Sequence, residues 1–251
     1  METLYKRNYL YVSDEDQIQL KNFPVLIAGA GLGSNIAENL IRMGFENLTI
    51  VDGDIVEITN LNRQNYTYED VGLHKVDVLY KRLKAINPNI NLKSIAQFIT
   101  SDNLTEIIKD CKVVINAIDF ENNMSILLDD FCMEHGITIL HPYNLGLAGA
   151  VCVVDKTSLN FRDIQKNKKP FSELDVVKYF LSYLRFWDEP QQFLEDILND
   201  YLSDENKELS PPQLGIASSL VAAMCTSLVY KICTRKSVKK FPEFYFTNTN
   251  A

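Results

Sequence analysis

Apolar runs alternate along this chain with segments whose apolar positions recur every three or four residues. Residues 24–30 (PVLIAGA) form an unbroken apolar run ending in glycine, as in a parallel strand buried on both faces. Residues 35–43 follow with helical spacing, Ile36, Leu40 and Met43 falling on one face, and residues 48–51 are a second apolar run closed by Asp52. The alternation continues with a helix over 75–86, stopped by Asn87-Pro88, and a strand over 90–96. A helix over 102–109, a strand over 112–118 (KVVINAI), a helix over 123–134 and a strand over 138–141 come next. Ahead of them, Ser13-Asp14-Glu15-Asp16 has the form of a capping box and opens a short helix to about Lys21. Such regular alternation predicts an α/β fold: a Rossmann-like, mostly parallel sheet with helices on both faces.

Past Ala148 the pattern changes. One strand over 150–154 leads into a lysine-rich polar connection over 156–169, then into helical segments over 173–186 and 191–201. The stretch 213–230 carries no charge and follows Pro211-Pro212. Its Ser218, Ser219, Thr226 and Ser227 suit a buried helix in a core or dimer interface better than a membrane span. A final strand is expected over 243–247. No repeat, low-complexity tract or linker interrupts the chain, so residues 1–251 read as a single domain.

Composition narrows the function classes. With 46% hydrophobic and 23% charged residues the 251-residue chain can bury a large core. A net charge of −8 and a pI near 5.0 disfavour non-specific binding to DNA, RNA or anionic membranes. Residues 1–7 lack the apolar segment of a secretion signal. Five scattered cysteines without a C-x-x-C pair offer no zinc site and fit a reduced, cytoplasmic protein.

The candidate chemistry begins at Gly29-Ala30-Gly31-Leu32-Gly33-Ser34, a strand-to-helix turn where a helix N-terminus can meet a phosphate. Its sixth position is serine, so as a dinucleotide fingerprint it is incomplete. Asp52 stands about 20 residues on, where such folds hold a ribose; Asp54 reads as a solvated loop residue. These features fit NAD as well as ATP. Asn60-Leu61-Asn62-Arg63-Gln64 and Lys75 discriminate. Attack on the α-phosphate of ATP must neutralise a triphosphate and stabilise transition-state oxygens, and a guanidinium, an ammonium and two amides suit that need. Asp119, ending the strand over 112–118, is placed either to hold Mg²⁺ or to cap the next helix.

Taken together, GAGLGS, NLTIVDGDIVEITNLNRQNY, DVGLHKVDVLYKRLKAINP and VINAID resemble the ThiF/MoeB/HesA family of ubiquitin-activating-enzyme-like adenylyltransferases, over about residues 5–155. The resemblance implies that Asp52 holds the ATP ribose, that Gly29, Gly31 and Gly33 shape the loop, and that Asn60, Arg63, Gln64 and Lys75 surround the phosphates. It assigns Asp119 to Mg²⁺ and the reacting carboxylate, and Arg7 to the γ-phosphate of a partner subunit in a homodimer. The chain departs from the family in its shortened glycine loop, in Phe120 after Asp119 and in lacking the zinc cysteines. Residues 155–224 contain no cysteine, so no covalent thioester is expected. His74 and His135 read as packing or helix-end residues, and His141 lies near the sheet's functional edge.

The leading expectation is an enzyme that adenylates a carboxylate, the C-terminal glycine of a ubiquitin-like sulfur-carrier protein, and releases pyrophosphate. One alternative is a tRNA threonylcarbamoyladenosine dehydratase-like enzyme, which would contact tRNA. Another is a nucleotide-binding interaction module without turnover.

Overall fold

The computed structural model describes residues 3–118, 124–164, 172–203 and 210–250. A 3₁₀ turn at Thr3–Asn8 precedes helix α1 (Asp14–Asn22), which Ser13 caps by accepting from the Asp16 amide. Strand β1 (Pro24–Ala28), helix α2 (Leu32–Met43), strand β2 (Asn47–Val51), helix α3 (Lys75–Ile86) and strand β3 (Asn91–Ile95) complete one half. On the other side lie α4 (Leu104–Ile108), β4 (Val113–Asn116), α5 (Met124–Glu134), β5 (Thr138–Leu145) and β6 (Ala148–Val154). The chain continues with α6 (Phe161–Ile164), α7 (Glu173–Phe186), α8 (Gln192–Ser203), α9 (Gly215–Cys233) and β7 (Phe244–Asn248).

The seven strands form one sheet in the order β3-β2-β1-β4-β5-β6-β7, with β1 to β5 parallel and β6 and β7 antiparallel. Strand order therefore reverses between β1 and β4. Beyond the carboxyl ends of those two strands a crevice opens, the place where open α/β sheets bind ligands.

Why the strands read as unbroken apolar runs is visible in their packing. Val25, Ile27, Val113 and Ile115 face a core built with α2, α3 and α9, while Leu26, Ala28 and Val114 face a second core built with α4, α5, α7 and α8. Both faces are covered, so no position along these strands needs to be polar. Helix α9 is long and apolar enough to cross a bilayer by length and composition, with half of that window buried. Here it packs on α2, β5 and β6 through Val221, Ala222, Cys225 and Val229.

Three sequence expectations need correction. The strand expected over 138–141 runs on to Leu145 and turns through Gly146 into β6, forming a hairpin longer than the apolar run suggested. Pro142 is tolerated because β4 pairs with β5 only as far as Leu140, leaving the rest of β5 with a strand on one side. The polar connection over 156–169 contains the short helix α6, whose Phe161 is 1% exposed and packs against Phe241. Leu159, Phe161 and Ile164 are too few among the polar residues to set a period, and only tertiary packing reveals the role of Phe161. At the N-terminus the Thr3–Asn8 turn had no sequence signal; buried Tyr5 anchors it by accepting from Asn87.

Candidate active site

The turn after β1 is shaped by what surrounds it. Gly29 has φ +93°, and a Cβ there would lie 2.3 Å from the Ala117 carbonyl oxygen, so only glycine fits between the ends of β1 and β4. Ser34, fully buried, explains the departure at the sixth position. Its hydroxyl donates to the Gly31 carbonyl (2.7 Å) and accepts from the Asn65 amide (3.0 Å), tying the glycine turn to the 60–65 segment. Tyr66 adds a second tie by donating to the Ala30 carbonyl at 2.8 Å. Burial pushes its phenol far above the ordinary range, and Asp52, Asp70 and Asp54 add to the effect, so this donor stays protonated.

Asp52, at the end of β2, is held by two backbone amides: Ala30 donates to one carboxylate oxygen (2.6 Å) and Asp54 to the other (2.7 Å). Its position is thereby fixed beside the glycine turn, with lone pairs left for a ligand. Lys75, the first residue of α3, is only 7% exposed. Its amide donates to the Asp54 carbonyl (3.0 Å) and its ammonium lies 3.1 Å from the Asp54 carboxylate. Asp54 is thus solvated, as expected from the sequence, but it is also the counter-ion that sequence reasoning missed. A buried ammonium facing a half-exposed carboxylate is a cation available to an entering anion.

Arg63 is clasped from two directions. One terminal nitrogen donates to the Thr59 carbonyl (2.8 Å) and the Asn62 side chain (2.9 Å), while Nε donates to Gln213 Oε1 at 2.6 Å. The Gln213 carbonyl in turn accepts from Asn62, and Leu214 is pinned by Asn144. Residues 213–214, leading into α9, therefore strap across to the 62–63 segment and to Asn144. Gln213 is a site residue the sequence offered no means to find, being 150 residues away from its partner. Asn60, 7% exposed, accepts from the Glu57 amide. Gln64 lies close enough to Gly31 that a Cβ there would be 3.1 Å from its amide nitrogen.

Gly29, Gly31, Asp52, Asn60, Arg63, Gln64 and Lys75 all line one cleft of about 1260 Å³. Gly33 does not; it packs α2 against β1, where a Cβ would meet Ile27 at 2.6 Å. Asp119 lies outside the described residues, although Asn116, Ala117 and Ile118 before it line the cleft. Arg7 is brought to none of the others. Its neighbour Asn8 donates to the Met43 carbonyl at the far end of α2, which places Arg7, exposed, at the opposite edge of the sheet. His74 precedes α3 and is exposed; His135 stacks on Phe131 at the end of α5.

The cleft's other wall is polar and dry. Asn116, at the end of β4, donates to Ser125 and to Asp129 Oδ1 (3.1 Å), and His141 Nε2 lies 3.0 Å from that same oxygen, off the line of a hydrogen bond. All four are buried. The five cysteines are buried and unpaired, and none lines the cleft. Burial, with smaller help from Asp110 and Asp16, pushes the thiols of Cys111 and Cys233 up to about 11; Cys132, Cys152 and Cys225 go higher. Thiolate, the reactive form, is suppressed at all five.

A sequence model of the ThiF family matches residues 5–251. The chain belongs to the ThiF family. Among its relatives, the sulfur carrier protein ThiS adenylyltransferase of Bacillus subtilis (strain 168) is 32% identical over 157 residues, 60% of this chain and 46% of that protein. The tRNA threonylcarbamoyladenosine dehydratase of Escherichia coli (strain K12) is 33% identical over 138 residues, 54% of this chain and 49% of that protein. The chain spans about half the length of the curated relatives it matches. Among solved structures, Escherichia coli MccB with AMPCPP and MccA superposes with a TM-score of 0.71 over 99% of this chain and 71% of that one, at 19% identity. That likeness extends the shared fold through the second half of this ThiF-family chain, where sequence resemblance is loose.

Proposed function

We propose that this protein uses ATP to adenylate a carboxylate, releasing pyrophosphate, and that the carboxylate is the C-terminal glycine of a ubiquitin-like sulfur carrier. One observation carries the reading: the buried Lys75 ammonium and the clasped Arg63 guanidinium line the same cleft as the glycine turn and Asp52. A dinucleotide's pyrophosphate needs no such pair; a triphosphate under nucleophilic attack does. The adenylyltransferase relatives support the reaction class.

In this mechanism Asp52 holds the ribose, and the glycine turn admits the phosphates close to the backbone. Lys75 leaves Asp54 for the α-phosphate as negative charge develops there, and Arg63, Asn60 and Gln64 hold the departing pyrophosphate. No described group of three His, Cys, Asp or Glu side chains could hold a metal alone, which suits an ion bound mostly by substrate phosphates. Asp119, following a stretch that lines the cleft, supplies the hard carboxylate donor such an ion takes. Bound Mg²⁺ would neutralise phosphate charge. Arg7 cannot serve the cleft of its own chain and acts, in this reading, on a second copy in a homodimer. Its exposed neighbours Leu4, Tyr9, Leu10 and Tyr11 suit such an interface.

Carboxylate-dependent exchange of labelled pyrophosphate into ATP tests the reaction. Exchange stimulated by a glycine-ended carrier is the expected result; ATP binding without exchange for any carboxylate would refute it. The Escherichia coli relative favours a second reading, in which the carboxylate sits on a modified tRNA base. Retention of tRNA at physiological salt would select it.

A further inference from the structure

The nucleotide occupies one end of the cleft, and a second end remains to be assigned. Strand β5 places His141 and Tyr143 two residues apart on one face, both edge-on to Phe161, with Tyr143 also edge-on to Phe180. They are 1% and 2% exposed, and both line the cleft. The Tyr143 hydroxyl has no hydrogen-bond partner, whereas His141 Nε2 faces the Asp129 carboxylate at 3.0 Å. Folded proteins rarely leave such atoms unpaired, because each forfeits its hydration without return. Among the described residues Gln64 Oε1 is the other buried side-chain atom with neither a hydrogen bond nor an ion pair, and both belong to residues of this one cleft. An unpaired polar group on a residue that lines a cleft is the kind of group a ligand can satisfy.

The surroundings define the ligand's chemistry. Burial drives the Tyr143 phenol well above its ordinary range, with Cys152, Glu173 and Asp129 adding to the effect, so the hydroxyl stays protonated and has a proton to offer an acceptor on a ligand. Asp129 and Glu173 also make this end negative. A second carboxylate arriving here is repelled, whereas a neutral oxygen is not. We propose that Tyr143, with His141 beside it, forms a subsite that reads a neutral carbonyl oxygen adjacent to the carboxylate being activated. The oxygen comes either from a peptide bond of the substrate's main chain or from a carboxamide on its terminal residue. The inference rests on the adenylation reading and sharpens it: the substrate is a peptide or protein C-terminus whose last residue is uncharged.

Pyrophosphate exchange on three short peptides, ending in Gly-Gly, Asn and Asp, tests this with the wild type, Tyr143→Phe and His141→Gln. ATP binding by calorimetry and thermal unfolding are measured alongside. Tyr143→Phe removes one oxygen and keeps the ring that packs on Phe161. The wild type is expected to favour Gly-Gly or Asn over Asp by about tenfold or more, Gly-Gly pointing to a main-chain carbonyl and Asn to a carboxamide. Tyr143→Phe should raise the KM for the favoured peptide about 5- to 30-fold. ATP affinity should not change, and the variant should melt no lower than the wild type. His141→Gln should raise the same KM and spare ATP affinity. An unchanged peptide KM in Tyr143→Phe, or equal use of the Asp peptide, overturns the subsite. Lower melting with unchanged KM also overturns it, by showing the hydroxyl paired within the protein. Wild type that binds ATP yet exchanges with none of the peptides refutes adenylation itself, independently of Tyr143.

Discussion

The two ends of the cleft are built on opposite plans. At the nucleotide end the residues come from neighbouring stretches of chain, and nearly every polar group is already held: Asp52 by two amides, Ser34 between two loops, Arg63 by three acceptors. At the other end Asn116, Asp129, His141 and Tyr143 come from β4, α5 and β5, and one of them, Tyr143, keeps a buried polar atom unpaired. On the proposed function the first is preorganised for the nucleotide, a ligand whose shape never varies. The second holds hydrogen-bonding capacity in reserve, at a cost in stability, as befits the end that must recognise a particular substrate.

If the plans differ in this way, damage to each should read out differently. Lys75→Ala should have the largest effect, lowering exchange about 10²- to 10³-fold. Its thermal midpoint should stay close to that of the wild type, because Asp54 is half-exposed and tolerates the loss. A variant that lost affinity for ATP but exchanged at the normal rate when saturated would instead support the module without turnover. Gly29→Ala comes next. Positive φ and the contact with Ala117 should together cost about 3 kcal/mol by chemical denaturation. A smaller loss would mean that the turn relaxes and is less preorganised than its geometry implies.

Gln213→Met keeps the side chain's length but removes the acceptor for Arg63 Nε. The KM for ATP should rise about 3- to 10-fold with little change in KM for the acyl substrate. Equal effects on both would erase the distinction between the ends. The smallest effect comes from outside the cleft and gives a baseline. Burial raises the Glu38 pKa, but bonds from Arg82 and Arg42 outweigh it and hold the carboxyl below its ordinary value of 4.5. Because the folded value is depressed, the stabilisation is present above pH 4.5 and is lost as pH falls through the folded value. Wild type should exceed Glu38→Gln by about 1 kcal/mol at pH 7, and the gap should close in acid unfolding titrations.

The contrast also explains what the sequence made legible. Strands β1, β2 and β4 were readable because burial on both faces leaves an apolar run with nothing to interrupt it. Asn60, Arg63, Gln64 and Lys75 were readable because their spacing is local and repeats a family pattern. Asp54 was rightly read as solvated, but its pairing with Lys75 was missed, because a carboxylate in a loop shows no partner until the lysine is seen to be buried. Gln213 and Phe161 left no trace, because each acquires its role from a partner far away in sequence. Tyr143 lay past the strand expected over 138–141 and carried no signal; its significance is an unmade hydrogen bond, which no spacing records. In the second half β6, α7, α8, α9 and β7 were legible from their apolar patterns, while the extent of the β5–β6 hairpin was masked by Pro142 and α6 was hidden in a polar stretch.

The clasp between Arg63 and Gln213 has a consequence for engineering. Exchanging second halves among relatives is an obvious way to redirect such a protein to a new acyl partner, since the first half carries the nucleotide signature. Here the transplanted half would also have to supply an acceptor for Arg63, on a segment entering α9 at the same height. A hybrid joined near residue 155 without one would inherit every recognisable nucleotide motif and still present its guanidinium loosely. Modularity in this protein is therefore narrower than its motif map suggests: the seam between interchangeable parts runs through the phosphate site.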